Sequence, residues 1–247
     1  MLMGLVLAPV IWFNHSLFLS INGLHNPATD KMWLAFTTLG DGLLVGIFLG
    51  AFLLVNPRVA VFGILLLLLS AALVHIIKIF FPVFRPVMLL DSVHVVGPIL
   101  RSGAFPSGHS AAAMSAGLAL AKFSSSRGIG AGAIIMAVMI GLSRVFVGAH
   151  FPADVLGGMI CATLTFIVLD RFIWPGLSNR VPERPSFSNR AFRRVFGLEV
   201  LASLYAVSLY SYYFAEIPLV GAVVAFSVLV FLAVGYFKHS SATRLKL

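Results

Sequence analysis

Residues 58–86 read RVAVFGILLLLLSAALVHIIKIFFPVFRP, and this stretch decides the fold class. Residues 59–77 contain no lysine, arginine, aspartate or glutamate. An apolar helix of about 20 residues is long enough to cross the hydrocarbon core of a bilayer. Lys78 follows the apolar run directly, and Arg85 comes seven residues later. The stretch therefore predicts a transmembrane helix that delivers two cations to one face of a membrane.

The composition of the whole chain agrees with this stretch. Of the 247 residues, 60% are hydrophobic and 10% are charged, whereas soluble domains carry about 25% charged residues. So few polar residues exclude a single water-soluble globule, and the apolar content excludes disorder. We predict an all-α fold, a polytopic transmembrane helical bundle. The single cysteine, Cys161, excludes a disulfide framework within one chain and a cysteine-based zinc site.

Hydropathy predicts the spans of this bundle. Five windows form the predicted core: 33–55, 59–81, 107–123, 129–148 and 153–174. Two further windows, 195–214 and 217–237, predict a C-terminal two-helix hairpin. The N-terminal helix is interrupted by Asn14-His15-Ser16, and it is either a marginal span or an interfacial helix. The predicted organisation is a membrane-embedded core over residues 1–175, a basic cytoplasmic linker over 176–194, and a hairpin with a basic tail over 195–247.

The basic residues of alternate loops predict the orientation. One side of the membrane receives twelve of them: Arg58, Lys122, Arg127, Arg171, Arg180, Arg184, Arg190, Arg193, Arg194, Lys238, Arg244 and Lys246. The other side receives five: Lys31, Lys78, Arg85, Arg101 and Arg144. Cytoplasmic loops carry the excess of lysine and arginine, so the first side is predicted to be cytoplasmic. The net charge of +9 is then an orientation signal, and no nucleic acid partner is expected.

Polar side chains from three separate stretches meet at the predicted outer face. Lys78, Arg85 and Arg144 form a positive cluster, and arginine is suited to bidentate contact with phosphate oxygens. Ser107 and Gly108 begin an apolar window, where the N–H groups of a helix N-terminus favour an anion. These residue types indicate a phosphate-binding site at the level of the lipid headgroups.

Two histidines and a carboxylate add reactive chemistry to this cluster. His150 and Asp154 share a helix face at i, i+4 spacing. A carboxylate bonded to one imidazole nitrogen fixes the tautomer and leaves the other nitrogen able to attack phosphorus. His109 can supply a proton to the leaving oxygen. This chemistry requires no metal and no cofactor, and the residues alone do not decide which histidine is the nucleophile.

The three motifs resemble the signature of the type 2 phosphatidic acid phosphatase family. They are Lys78-x6-Arg85-Pro86, Pro106-Ser107-Gly108-His109 and Ser143-Arg144-x5-His150-x3-Asp154. The family is similar in its site to vanadium haloperoxidases and bacterial acid phosphatases, and the match covers roughly residues 30–174. The resemblance implies that His150 attacks phosphorus, Asp154 orients it and His109 protonates the leaving group. It also implies phosphate binding by Lys78, Arg85, Ser107, Gly108 and Arg144.

The resemblance leaves the substrate and the acceptor open. The expected activity is hydrolysis of a lipid phosphate or pyrophosphate at the outer face of a bacterial-type inner membrane. Undecaprenyl pyrophosphate, the 1-phosphate of lipid A, phosphatidylglycerophosphate and phosphatidic acid are the candidate substrates. A lipid phosphotransferase and a transporter of anionic lipids are the alternatives, and the oligomeric state stays open. Asp41, inside the first window, is interpreted as a packing group or a partner of His75 or Lys78.

Overall fold

The computed structural model describes residues 13–100, 103–184 and 189–213, and every regular element within these residues is helical. Helix α1 covers residues 13–22. The helices that follow are α2 (Pro27–Leu39), α3 (Gly42–Ala51), α4 (Pro57–Phe80), α5 (Pro86–Leu89), α6 (Gly108–Phe123), α7 (Arg127–Phe146), α8 (Pro152–Val168), α9 (Trp174–Ser178) and α10 (Asn189–Tyr213). The all-α fold class predicted from the sequence is confirmed.

Three helical segments within the described residues are long and apolar enough to cross a membrane on their own. They are Pro57–Phe80, Arg127–Phe146 and the continuous stretch Pro152–Ser178. In the last of these, a wider turn over Leu169–Ile173 joins α8 to α9 without a break. The predicted windows 59–81, 129–148 and 153–174 match these segments to within a few residues at each end, because uninterrupted hydropathy marks a span directly.

The predicted span 33–55 is two helices, and the prediction of one continuous helix there is wrong. Helices α2 and α3, with the short turn Phe52–Leu54, meet at an angle of 60°. Gly40 ends α2, and the carboxylate of Asp41 accepts a hydrogen bond of 2.8 Å from the amide of Leu43 to cap the next helix. A hydropathy window does not register this cap, because the residues on both sides of it are apolar.

Helix α6 lies at the centre of the bundle and contacts α3, α4, α7 and α8. At 16 residues it is short, as its window predicts. Small side chains line it, and Ser115 forms a buried hydrogen bond of 2.8 Å with Ser70 of α4. A Cβ atom on Gly117 would lie 3.0 Å from the carbonyl oxygen of Ala133. The alanine, serine and glycine content of α6 thus permits neighbouring helices to approach closely.

The two ends of the bundle carry different groups of polar residues. At one end, Lys122 of α6 pairs with Asp170 after α8, and Arg58 of α4 pairs with Glu183. Lys78 and His150 lie at the opposite ends of the corresponding helices. The short loops predicted to be cytoplasmic therefore meet at one end, and the three sequence motifs meet at the other.

The terminal helices pack against this core. Phe18 of α1 is fully buried and contacts Phe151, and Asn22 donates to the carbonyl of Phe146, so α1 lies at the end that carries the motifs. Helix α10 packs on α3 and begins at Asn189, six residues before the predicted window, because a helix can extend past the apolar stretch that hydropathy detects. The window 217–237 and residues 1–12 lie outside the described residues, as do Lys238, Arg244 and Lys246.

The contact between α6 and α8 depends on a glycine. A Cβ atom on Gly158 would lie 2.2 Å from the carbonyl oxygen of Ser107 at the start of α6. By contrast, a Cβ on Gly132 of α7 would meet no atom within 4 Å.

We expect Gly158→Ala to destabilise the protein by about 1–3 kcal/mol, because the extra methyl group forces α6 and α8 apart. Gly132→Ala is the matched control, and its higher helix propensity makes it neutral or stabilising. Thermal unfolding in detergent measures both variants. Equal unfolding temperatures for the two variants would contradict the close contact at Gly158.

Candidate active site

A hydrogen bond joins the start of α6 to the start of α8 at the base of the site. The amide of Ser107 donates to the carbonyl of Asp154 at 2.9 Å, which joins the segment before α6 to the start of α8. Ser107 is fully buried, and its Oγ caps α6 by accepting from Ser110, whose own Oγ lies 2.9 Å away. Because the Ser107 oxygen is the acceptor in these bonds, its hydroxyl hydrogen remains available to a ligand.

His150 is positioned by the turn between α7 and α8. The amides of Ala149 and His150 both donate to the carbonyl of Arg144, at 3.0 and 3.1 Å. Gly148 makes this turn possible with a φ of +74°, a conformation that glycine adopts without strain. His150 is 2% exposed, so its imidazole is held in one place by the protein on nearly every side.

Two charged groups fix the tautomer of His150. Nδ1 lies 3.4 Å from Oδ2 of Asp154, and Nε2 lies 3.1 Å from Nη1 of Arg85. A guanidinium has donors only, so Nε2 must be the accepting nitrogen and the proton must lie on Nδ1, facing the carboxylate. The same Asp154 oxygen also accepts the amide of Phe151 at 2.9 Å. The lone pair of Nε2 is thus directed at the cation cluster.

The environment of His150 keeps the imidazole neutral. Burial, followed by the nearby charges of Arg144, Arg85 and Lys78, lowers the pKa of His150 well below its ordinary value. Burial also lowers the pKa of Arg85, an effect that Asp154 opposes. An arginine begins from so high a pKa that it stays charged at neutral pH. The pair therefore combines a neutral nucleophile with a permanent cation.

Backbone carbonyls arrange Lys78 and Arg85. The Lys78 ammonium donates to the carbonyl of Gly103. Arg85 donates to the same carbonyl at 3.4 Å and to that of Ala149 at 2.9 Å. A carbonyl oxygen orients a cation without cancelling its charge, so both side chains keep their positive charge for an anionic ligand.

Arg144 provides the third cation from the end of α7. It is 6% exposed and donates through Nη1 to the hydroxyl of Thr37 in α2. Its Nε is buried and has no hydrogen-bond partner among the described residues. A buried donor without an acceptor is costly, and a phosphoryl oxygen would satisfy it.

His109 lies in the first turn of α6, at the edge of a cavity. The cavity has a volume of about 290 Å³, and its lining includes Lys78, Gly108 and His109 above apolar side chains of α4 and α6. A Cβ atom on Gly108 would meet nothing within 4 Å, so the backbone of this residue faces open space. The Nε2 atom of His109 lies 4.0 Å from Oδ2 of Asp41.

The structure brings together all eight residues that the sequence analysis assigned to the site: Lys78, Arg85, Ser107, Gly108, His109, Arg144, His150 and Asp154. His94 of the outer connection lies apart from them: it pairs with Asp30 at 3.0 Å and stacks on His25. Arg101 lies outside the described residues. Within the described part of the chain, no group of three or more His, Cys, Asp or Glu side chains is arranged to hold a metal ion.

Sequence reasoning missed three contributors. Gly103 supplies a carbonyl to Lys78 and Arg85, and Thr37 supplies a hydroxyl to Arg144. Asp41 is the third contributor: its carboxylate faces His109 rather than His75 or Lys78, the partners expected from the sequence. The sequence does not indicate that the carbonyl of a loop glycine such as Gly103 will bind a cation. The Gly40-Asp41 pair does carry one, since a glycine followed by an N-capping residue indicates a break that would turn Asp41 toward the site.

Comparison with known proteins agrees with this geometry. The sequence model of the PAP2 superfamily matches residues 59–176, which contain all three motifs. The undecaprenyl-diphosphatase BcrC of Bacillus subtilis (strain 168) is 25% identical over 198 residues, or 71% of this chain and 99% of that protein. The undecaprenyl-diphosphatase of Sulfolobus acidocaldarius is 30% identical over 153 residues, or 61% of this chain and 73% of that protein.

Two solved structures are also similar. The crystal structure of Aquifex aeolicus LpxE has a TM-score of 0.60 and 30% sequence identity, covering 64% of this chain and 94% of that one. The transmembrane PAP2-type phosphatidylglycerolphosphate phosphatase of Bacillus subtilis has a TM-score of 0.50 and 24% identity, covering 73% of this chain and 94% of that one, and it supports the fold alone. The chain therefore belongs to the PAP2 superfamily. It is a membrane-embedded, multi-pass lipid phosphatase of the PAP2 type.

The lowered pKa of His150 predicts the acid side of the pH profile. The neutral imidazole is the reactive form, so a lower pKa keeps the enzyme active on the acid side of pH 6.5, the ordinary histidine value. We expect kcat/KM for 4-nitrophenyl phosphate, corrected for substrate ionisation, to stay constant as the pH falls through 6.5 and to decline only at lower pH. Arg85→Gln removes a neighbouring cation and should move this decline to higher pH. A fall that stays at the same pH in both enzymes would contradict the assigned electrostatics.

Proposed function

We propose that this lipid phosphatase acts through a phosphohistidine formed on Nε2 of His150. The single observation that supports this assignment best is the tautomer of His150. With the proton on Nδ1 facing Asp154, the Nε2 lone pair points toward the cation cluster, where a phosphoryl group would bind. In the structure Arg85 donates a hydrogen bond to this lone pair. When a substrate binds, Arg85 would donate to the phosphoryl oxygens instead.

The reaction takes place in two displacement steps. In the first, Nε2 of His150 forms a bond to phosphorus, the ester or anhydride P–O bond breaks, and His109 gives a proton to the leaving oxygen. In the second, a water oxygen attacks phosphorus, the P–N bond breaks, and His109 takes a proton from the water. Asp154 stabilises the positive charge that His150 carries while it is phosphorylated. Both histidines end in their starting states.

The cations stabilise the charge that the transferred phosphoryl group carries. Arg144 offers an Nε–H that has no acceptor among the described residues, and Lys78 and Arg85 keep their charge because they bond to carbonyl oxygens. The Ser107 hydroxyl and the Gly108 amide add donors at the N-terminus of α6. Preorganised donors in a buried site are the largest source of catalysis in many enzymes, and this arrangement supplies them without a metal.

A second cavity supports a substrate with a long apolar chain. It has a volume of about 250 Å³ and lies between α2, α3, α6 and α7. Its lining includes Leu39, Ala113 and Ile140, and Ala113 lies one turn below His109. A lipid tail in this cavity would leave its phosphate beside His109, whereas a soluble phosphate ester would leave the cavity unused.

Undecaprenyl pyrophosphate is the substrate that we favour. Two relatives, one of them 30% identical, are undecaprenyl-diphosphatases. Lipid A 1-phosphate, phosphatidylglycerophosphate and phosphatidic acid present the same group beside an apolar anchor and are the other arms of the test. We propose a bacterial-type inner membrane with the site facing outward, since the lysines and arginines concentrate at the other end of the bundle.

Phosphate release from these four lipids in detergent micelles tests the proposal. We expect the wild-type enzyme to release phosphate fastest from undecaprenyl pyrophosphate. His150→Asn should lower turnover by a factor of at least about 10⁴ because no nucleophile remains. His25→Asn, which changes an exposed histidine outside the site, is the control. Phosphate that appears only on an added acceptor lipid would identify a phosphotransferase, and retained turnover in His150→Asn would reject the nucleophile.

Chelation and phosphate mimicry provide an independent test. We expect activity to persist in EDTA, since the donors of the site are protein groups, and we expect vanadate to inhibit competitively as a phosphoryl mimic bound at His150. Activity measured after dialysis against EDTA, and again with vanadate added, checks both. Loss of activity that a divalent metal restores would overturn the metal-free mechanism.

A further inference from the structure

Asp41 occupies an unusual position for a carboxylate. It lies in an otherwise apolar stretch, at the 60° break between α2 and α3. One oxygen, Oδ1, accepts the amide of Leu43 and caps α3. The other oxygen, Oδ2, faces Nε2 of His109 at 4.0 Å, and both side chains are about one-third exposed (33% and 31%). A charged group at such a position is costly and indicates a function.

Close packing fixes the break against the first turn of α6. A Cβ atom on Gly40 would lie 2.4 Å from the Ile140 side chain and 3.3 Å from the carbonyl oxygen of His109. Thr37, one turn before Asp41, accepts a hydrogen bond from Arg144. The broken helix therefore contacts the site at two points, and the absence of a side chain on residue 40 lets Asp41 come beside His109.

The charges around His109 show why a carboxylate is needed there. Lys78 from α4, Arg85 from the outer connection and Arg144 from α7 all face the imidazole, and each one disfavours a positive charge on it. His150 lies in the same cluster, and Asp154 is engaged by His150 and by the amide of Phe151. A general acid must hold a proton before it can donate one. Asp41 is the described carboxylate that faces His109 directly.

We propose that Asp41 is a positioning residue that holds the Nε2–H of His109 at the edge of the cavity until a substrate binds and opposes the cations that disfavour the protonated imidazole. The inference rests on the proposed function and deepens it. His109 gives its Nε2 proton to the leaving oxygen as the P–O bond breaks, and Asp41 remains a carboxylate throughout. When water attacks the phosphohistidine, His109 takes up a proton and the ion pair with Asp41 forms again.

This role predicts a dependence on the leaving group. The diacylglycerol alkoxide of phosphatidic acid is a poor leaving group and needs the proton that His109 supplies. The 4-nitrophenolate ion leaves without protonation. A loss of proton donation should therefore slow the hydrolysis of phosphatidic acid much more than that of 4-nitrophenyl phosphate, whereas a disturbed fold would slow both reactions equally.

Asp41→Asn is the decisive variant, because asparagine is as good an N-cap as aspartate and preserves the start of α3. Asp91→Asn, which removes one charge from an exposed loop, is the matched control. We expect Asp41→Asn to lower kcat/KM about 10-fold for dioctanoyl phosphatidic acid and by less than about 3-fold for 4-nitrophenyl phosphate. The 10-fold loss is smaller than the full contribution of a general acid, because His109 itself is still present. In the pH profile of kcat/KM for this variant, the decline on the alkaline side should move to lower pH. Asp41→Glu should restore part of the rate.

Three outcomes would count against the inference. Equal losses on the two substrates with an unchanged pH profile would assign Asp41 a structural role only. Full activity of Asp41→Asn on phosphatidic acid, or an equal effect of Asp91→Asn, would overturn the pairing with His109. A wild-type enzyme that releases phosphate from neither of these substrates nor from undecaprenyl pyrophosphate would instead contradict the proposed function.

Discussion

A buried imidazole held between a carboxylate and a guanidinium is the interaction on which the site depends. His150 bonds through one nitrogen to Asp154 and through the other to Arg85, and these partners come from a helix and from a loop that lies far away in the sequence. The arrangement requires α8 to be fixed against the start of α6, which the bond between Ser107 and Asp154 and the absence of a side chain on Gly158 achieve. The packing of α8 against α6 therefore also determines the geometry of the catalytic residues.

The apolar bundle makes three clustered cations possible and also makes them reactive. Lys78, Arg85 and Arg144 repel one another. They donate hydrogen bonds to carbonyl and hydroxyl oxygens, and Asp154 offsets part of the charge of Arg85. An anionic phosphoryl group is the partner that would relieve this repulsion. Low solvent access strengthens each of these interactions, so the same burial that increases the repulsion among the cations also strengthens their attraction for a phosphoryl group.

Much of this organisation follows from the sequence, for physical reasons. Hydropathy identifies Pro57–Phe80 and Arg127–Phe146 because a span needs an uninterrupted apolar run. The eight site residues follow from three motifs at helix ends, since alternating spans return to the same face. The break at Asp41 was not predicted, because apolar residues flank it and the direction of its carboxylate depends on how α2 packs against α6 and α7. Gly103 contributes through its backbone, which no side-chain pattern reveals.

Peptide mapping after rapid quenching shows whether phosphorus becomes bonded to His150 during turnover. The wild-type enzyme is mixed with undecaprenyl pyrophosphate, quenched in alkali, where phosphohistidine survives, and digested for mass spectrometry. We expect a phosphoryl group on the peptide that contains His150, and none after His150→Asn. A phosphoryl group on His109 instead, or turnover without any phosphorylated peptide, would contradict it.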